Sequence, residues 1–353
     1  MSDFDEKEFE PLGIILRIPA KGRRKLMEGR DQLQPAGRRR PSGGSGGRGM
    51  ATIRRLVAKA PEVMVKVSGG ARGAKGVREH LYYITRNGEL VAETPNGDLV
   101  GKAEVAEAAR AWWENRGQAQ GAHRRNSRET VNLVLSMPPG TDRDKLTAAA
   151  RLFASRTFGA NHDYLLVEHR DTDHPHVHLT VRSLGHDMTR LNPKKADLQA
   201  WREGLAVELR AQGIEAVATP RRARGVVRKS KRQAIHHLDA RGDSRVQRSK
   251  VAELLRELTQ KVAAGEDPFA QAAKWKQKQI RAAWGRLADQ CDAEGGEGVA
   301  LGLQIREFIK AMPPIATERD ELREVVARQV SQQRRGGGGE RGGGGRGDDG
   351  RER

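Results

Sequence analysis

From Glu62 to Ser68 apolar and polar residues alternate: Val63, Val65 and Val67 fall on one face, Met64 and Lys66 on the other. A period of two predicts a half-buried strand, and Gly69, Gly70 and Gly73 end it. Beyond Lys75 the period lengthens. Val77, Leu81 and Ile84 stand at i, i+4 and i+7, the stripe of an amphipathic helix that Asn87-Gly88 stops. Ala103–Trp113 predicts a second helix, and Thr130–Ser136 a buried strand closed by Pro138-Pro139-Gly140. Arg143–Phe158 predicts a third helix with Leu146, Ala149, Ala150 and Phe153 on its apolar side. Tyr164–Val167 is apolar and strand-like. Val177, Leu179 and Val181 then alternate with His176, His178, Thr180 and Arg182, and Arg170-Asp171-Thr172-Asp173 between the two runs is turn chemistry for an antiparallel hairpin. Leu198–Gln212 reads as an amphipathic helix ending at Gly213, and Ile214–Ala218 is a candidate for one more short strand. The mixture, with hairpin-length links, predicts an α+β domain on an antiparallel sheet flanked by helices.

Helical periodicity returns at Val246–Ala263, Phe269–Ala293, Leu301–Met312 and Ala316–Gln333. The two ends lack it. Residues 1–57 read as a basic, largely disordered leader carrying Arg38-Arg39-Arg40 and a Gly/Ser run, with a short helix around Arg24–Leu33; residues 334–353 read as a disordered Arg/Gly-rich tail. This divides the chain into a leader (1–57), a folded α+β domain (58–230), a basic helical accessory region (231–333) and the tail (334–353).

Charge changes the picture most. Against 46 Asp+Glu stand 65 Lys+Arg, a net of +19, and Arg221–Lys250 alone carries eleven Lys/Arg against two Asp. A polyanionic partner follows, most simply nucleic acid. No apolar run approaches the roughly 18–20 residues a bilayer span needs, and the acidic start, Met1–Glu10, is unlike a secretory signal. The single Cys291 excludes an intramolecular disulfide and a multi-cysteine zinc site, and fits a reducing cytoplasm.

Six of ten histidines fall between His162 and His186. On a strand His176 and His178 share a face, and the preceding hairpin brings His169 back beside them. Three converging imidazoles make a divalent-metal site with positions open to substrate, and Asp171 and Asp173 are candidates to orient the rings. Histidines facing water and a structural zinc site are the other readings of this spacing. Of three tyrosines, Tyr82 and Tyr83 are adjacent at the end of the first predicted helix. A phenol beside a metal-bound phosphate can attack phosphorus and stay attached to the DNA end, although a tyrosine pair at a helix end is also ordinary packing.

Three strings occur in order: Leu81-Tyr-Tyr-Ile-Thr-Arg-Asn-Gly88, Leu135-Ser-Met-Pro-Pro-Gly-Thr141 and His169-x-Asp-x-x-His-Pro-His-x-His178. Together they resemble the MobP-type relaxases of conjugative and mobilisable plasmids, the relaxase/mobilisation nuclease family that also contains the T-DNA border nickases. The similarity runs from about Pro61 to Arg228. It implies an HUH-type (histidine–hydrophobe–histidine) nuclease core for residues 58–230. It implies that Tyr83 is the nucleophile, since it precedes Ile-Thr-Arg-Asn-Gly where the family has Leu-Ser-Arg-Lys-Gly; Tyr82 is the neighbouring candidate. His169, His176 and His178 match the metal triad, and Asp171 the acid that orients a histidine or helps take the phenol proton. Ser136 matches the second motif, which contacts DNA near the nick, while His174 is an extra histidine near the DNA. The implied reaction is a strand-specific transesterification at an origin of transfer, giving a 5′-phosphotyrosyl protein and a free 3′-hydroxyl, reversible by rejoining. Mg²⁺ or Mn²⁺ is the family's ion, and ligand softness also permits Zn²⁺, Ni²⁺ or Co²⁺.

The basic residues Arg221, Arg222, Arg224, Arg228, Lys229, Lys231 and Arg232 are candidates to neutralise phosphates beside the nick, the alternative being a solvated linker. Trp112 and Trp113 are candidates for base stacking, with core packing of at least one expected. The implied partners are single-stranded and supercoiled origin DNA, relaxosome accessory proteins and a type IV secretion coupling protein. The implied location is the bacterial cytoplasm, with transfer alongside DNA to the recipient. No phosphate-binding Gly-x-x-x-x-Gly-Lys-Ser/Thr loop is present, so unwinding falls to another protein. A replication initiator or transposase would share this chemistry, and a non-catalytic origin-binding protein would use the histidines for structural metal. The long leader departs from the family pattern, and translation from Met50 would account for it.

Overall fold

The computed structural model describes Ile15 and residues 45–114, 127–227, 241, 244–260 and 268–336. The expected helix at Arg24–Leu33 and nearly all of the expected tail lie outside these residues. The described residues form two compact units, one from Ser45 to Pro220 and one from Arg221 onward together with Ile15. This division falls ahead of the expected 230/231 boundary.

The alternation after Glu62 forms strand β1 (Met64–Gly69), with Val65 buried and Met64 and Lys66 exposed. It pairs antiparallel with β4 (Thr130–Ser136), which pairs with β6 (His176–Arg182), which pairs with β5 (Tyr164–His169). Two three-residue strands, β2 (Ala92–Thr94) and β3 (Gly97–Leu99), complete the sheet in the order β1-β4-β6-β5-β2-β3, antiparallel throughout. The candidate strand at Ile214–Ala218 reduces to one parallel bridge, Val217 with Glu62.

Helices cover both faces of the sheet. On one, α4 (Arg143–Phe158) and α5 (Lys195–Ala211) pack Phe153, Leu205 and Leu209 against Leu133, Leu135, Val177, Leu179 and Val181. The Asp142 carboxylate starts α4 by accepting from the Lys145 backbone N–H at 3.1 Å. On the other face, α2 (Gly73–Ile84) and α3 (Gly101–Glu114) pack Val77, Leu81 and Val105 against Leu165 and Val167. Strand β5 alternates between the two cores, with Tyr164 and Leu166 in one and Leu165 and Val167 in the other. The apolar face of β6 looks toward α4 and α5, and its histidine face looks toward α2, where His80 Nε2 lies 2.9 Å from Thr180 Oγ1.

The expectation of a disordered leader up to residue 57 is corrected at its end. Ser45–Val57 forms helix α1, with Ile53 and Leu56 buried and Arg55 paired to Glu215 at 2.6 Å. Ile53, Leu56 and Val57 stand at i, i+3 and i+4, enough to make an apolar stripe within a basic stretch.

The second unit comprises α6 (Arg245–Gln260), α7 (Pro268–Glu294), α8 (Glu297–Lys310) and α9 (Glu318–Gly336), preceded by a 3₁₀ turn at Arg221–Arg224. Trp284 is fully buried at its centre, 5.1 Å from the Phe308 ring, and its indole N–H donates to the Ala223 carbonyl at 2.9 Å. Among the described residues no helix is long and apolar enough to cross a membrane.

Candidate active site

The hairpin register assembles the histidines. His169 is the cross-strand partner of His176, and His178 lies two residues further along the same face of β6. The ring centroids of His169 and His176 are 5.3 Å apart, those of His169 and His178 4.3 Å, and those of His176 and His178 5.3 Å. One nitrogen from each ring lies within 4.8 Å of the other two. Three imidazole donors gathered this closely fit a single divalent cation.

Backbone carbonyls select the tautomers. His169 Nε2 lies 2.7 Å from the Ile84 carbonyl, and His176 Nδ1 lies 3.1 Å from the His174 carbonyl. A carbonyl only accepts, so each ring nitrogen donates there and leaves its other nitrogen as a lone pair. Burial, then the neighbouring His169, His176 and His80, push His178 down to about 3. Burial also lowers His169, partly opposed by its bond to Ile84, and takes His80 down to about 4. His169, His178 and His80 are therefore neutral at neutral pH, and for the two that belong to the cluster, His169 and His178, that is the form a metal requires.

The orienting acceptors expected at Asp171 and Asp173 are thus main-chain oxygens instead. Asp171 Oδ1 lies 4.0 Å from His169 Nδ1, beyond hydrogen-bonding reach, while Oδ2 holds Arg86 at 2.6 Å. Its carboxyl is held below the usual range by its own backbone N–H, then by Arg86 and the nearby histidines against a burial cost. Asp173 is exposed. Arg143, from α4, donates to the His169 carbonyl at 3.4 Å and to the Thr172 carbonyl, bracing the loop that carries Asp171.

The tyrosines part company at the end of α2. Tyr83 is 73% exposed. Tyr82 is half-buried against the core under α2 and α3, with Lys102 Nζ 5.3 Å from its ring centroid. The helix closes as the Thr85 hydroxyl donates to the Leu81 carbonyl at 2.8 Å. Arg86, Asn87 and Gly88 then turn through the left-handed region at φ 52°, 59° and 92°. Gly88 is required twice over, because a Cβ there would lie 2.3 Å from the Lys102 nitrogen. That turn returns Arg86 to Asp171, so two contacts tie the tyrosine helix to the histidine hairpin: Ile84 with His169, and Arg86 with Asp171.

Ser136 is buried and is the cross-strand partner of His176. The His174 side chain is exposed, and its carbonyl serves His176. Arg221, Arg222 and Arg224 occupy the 3₁₀ turn of the second unit, Arg221 exposed and the other two half-buried. Arg228, Lys229, Lys231 and Arg232 lie outside the described residues. Trp112 packs against the core under α2 and α3, as expected of at least one of the tryptophans. His80, Thr180, Arg86 and Arg143 join this neighbourhood without having been singled out from the sequence. Of these, only Arg86 stood inside a quoted motif string.

Residues 83–214 match the family described as Relaxase: MobA/VirD2-like, nuclease domain. The match opens at Tyr83 and contains Ser136 and the histidine hairpin. The T-DNA border endonuclease VirD2 of Rhizobium rhizogenes is 27% identical over 183 residues, 47% of this chain and 42% of that protein. VirD2 of Rhizobium radiobacter is 27% identical over 193 residues, 50% of this chain and 46% of that protein. The chain spans less than half the length of these curated relatives. The three motif strings stand in order and the domain match coincides with them, so residues 83–214 are similar to a MobA/VirD2-like relaxase nuclease domain.

Proposed function

We propose that this chain is a DNA relaxase that cuts one strand at the origin of transfer of a plasmid or integrative element and rejoins it after transfer. The observation that carries this reading is the attachment of an exposed tyrosine to a histidine cluster: Tyr83 directly precedes Ile84, whose carbonyl holds His169 at 2.7 Å. In the reaction the Tyr83 oxygen bonds to phosphorus as the bond from phosphorus to the 3′-oxygen breaks. The 5′-phosphate stays on the tyrosine, the phenol proton leaves, and the 3′-oxygen gains one. One phosphodiester replaces another, so the same residues support the reverse step.

His169, His176 and His178 would hold a divalent cation, which when bound would supply Lewis acidity toward the scissile phosphate. Mg²⁺ or Mn²⁺ follows the family, and an all-imidazole donor set also suits Zn²⁺, Ni²⁺ or Co²⁺. Asp171, ionised and paired with Arg86, fixes the hairpin loop against the helix that presents Tyr83. Its depressed pKa suits that electrostatic role better than prolonged storage of the phenol proton. Ser136 and His174 are assigned to the DNA strand at the cut. Likeness to proteins named T-DNA border endonucleases supports DNA as the substrate; accessory proteins and a secretion coupling protein belong to the reading as partners only through the family resemblance. Action begins in the bacterial cytoplasm.

The test is denaturing-gel detection of a covalent protein–DNA adduct on a labelled single-stranded origin library with Mg²⁺ or Mn²⁺. An adduct is expected from the wild type and from Tyr82→Phe, and none from Tyr83→Phe or His176→Ala. Salt-sensitive binding with no adduct on any sequence would favour an origin-binding protein with a structural metal. Cleavage sites mapped to a replication origin or transposon end would favour an initiator or transposase.

A further inference from the structure

Between α2 and α3 lies an open groove of about 620 Å³, within the range of ligand-binding clefts. Lys75, Arg78 and Tyr82 stand at i, i+3 and i+7 on α2, and Ala106, Arg110 and Trp113 at i, i+4 and i+7 on α3, so each set forms one helix face turned to the groove. The small side chain of Ala106 leaves its floor open. Its chemistry is mixed in a particular way, with two aromatic rings, three cations and a single acid, Glu107, lining it. Arg110 is paired with Glu107 at 3.2 Å, and Lys75 with Glu79 at 3.6 Å. Arg78 has no ion pair among the described residues, and its side chain is exposed. A purely apolar ligand would leave Arg78 without a counter-charge. A duplex would offer no free base face to the rings.

We propose that this groove is a stacking site for one unpaired nucleotide of a DNA strand, its base against Trp113 and Tyr82 and its phosphate against Arg78 and Lys75. The chemistry is that of single-strand binding elsewhere, an aromatic platform beside cations that follow the backbone. Its placement gives it a use. Tyr82 lines the groove and the next residue is Tyr83, so a strand held at the one is within reach of the other. Only in naming which strand is bound, the one flanking the cut, does the proposal rest on the relaxase reading. The groove thereby gives a role to Trp113 that the nuclease chemistry leaves unassigned.

The test is fluorescence anisotropy of labelled oligo(dT) with the full-length protein at several salt concentrations. Trp113→Ala is expected to weaken binding by about 5- to 100-fold with the salt dependence of the wild type, because a stacking contact releases no counterion. Arg78→Gln is expected to weaken binding and to lower the slope of log K against log salt by about 0.7, one phosphate contact on a single strand. Trp275→Ala, an exposed tryptophan of the second unit, is expected to bind as the wild type does. Should Trp113→Ala not fold, the slope of Arg78→Gln carries the test alone, since its side chain is exposed. Wild-type binding by both groove variants overturns the proposal, and so does an equal loss in Trp275→Ala. Adduct formation on origin DNA is scored separately. An adduct with groove-independent binding sinks the groove and leaves the relaxase; groove-dependent binding without an adduct does the reverse.

Discussion

A turn of three consecutive left-handed residues, Arg86, Asn87 and Gly88, sets where the tyrosine helix ends and where Arg86 points. Gly88 carries both a positive φ and a close approach, since its Cβ would meet the backbone of Gly101 and Lys102. Gly97, at φ 125°, has open space around its Cβ position and carries backbone strain alone. Strain of this kind costs about 1–3 kcal/mol. Gly97→Ala is therefore expected to lose an amount in that range, and Gly88→Ala more, because the neighbouring backbone must also move. Urea denaturation of the two variants checks this; equal losses would show that the contact with Lys102 contributes nothing. At this scale the sequence reveals donors better than acceptors. The histidine cluster follows from strand periodicity and one hairpin. The Ile84 carbonyl that orients His169 is contributed 85 residues away by a group every residue possesses, so nothing in its side chain announces it. For the same reason nearby carboxylates such as Asp171 look like the natural orienting groups until the fold is known.

The β5–β6 hairpin that carries the cluster is clamped at its far end by Asp163, which accepts from Arg182 Nη1 at 3.0 Å and from His186 Nε2 at 3.0 Å. Burial alone would raise the Asp163 pKa, but these two partners outweigh it and hold the carboxyl below its usual range. A depressed folded-state pKa adds stability above the unfolded value of about 4 and loses it as pH falls through the folded value. Asp163→Asn is accordingly expected to be less stable than the wild type near neutrality, with the gap closing on acidification below about pH 4. Urea midpoints measured across that window check the sign, and a gap independent of pH would remove Asp163 as the titrating clamp. The strands and helices around this hairpin were legible where amphipathic patterning spans several residues, as in β4 and α4. The hairpin β2–β3 was not, since three residues per strand hold too little alternation to recognise. Helix α1 was hidden by its basic, Gly-rich surroundings, because composition averages over a window while burial is decided by Ile53 and Leu56.

Across the whole chain, a net charge of +19 raises the question of which cations serve a partner and which serve the fold. The basic segment was visible in the sequence as an even run of arginines, yet the 3₁₀ turn at Arg221–Arg224 divides them. Trp284 anchors the Ala223 carbonyl, leaving Arg221 exposed and Arg222 half-buried. Arg222 Nε is buried with no hydrogen-bond partner among the described residues, and burial lowers the pKa of its guanidinium. A lowered pKa on a base means that folding works against its charge, a cost that a counter-charge brought to the turn would offset. If that counter-charge is a DNA phosphate, Arg222→Met is expected to stabilise the protein while reducing the salt slope of single-strand binding by about 0.7. Arg221→Ser is expected to reduce the slope similarly and to leave stability within about 0.5 kcal/mol of wild type, because an exposed side chain loses little packing. Thermal melts and salt-dependent oligo(dT) titrations on the same preparations separate the two effects. A stabilised Arg222→Met with an unaltered slope would mean that the buried arginine serves neither the fold nor DNA, and the basic turn would then lose its place in the DNA-binding surface.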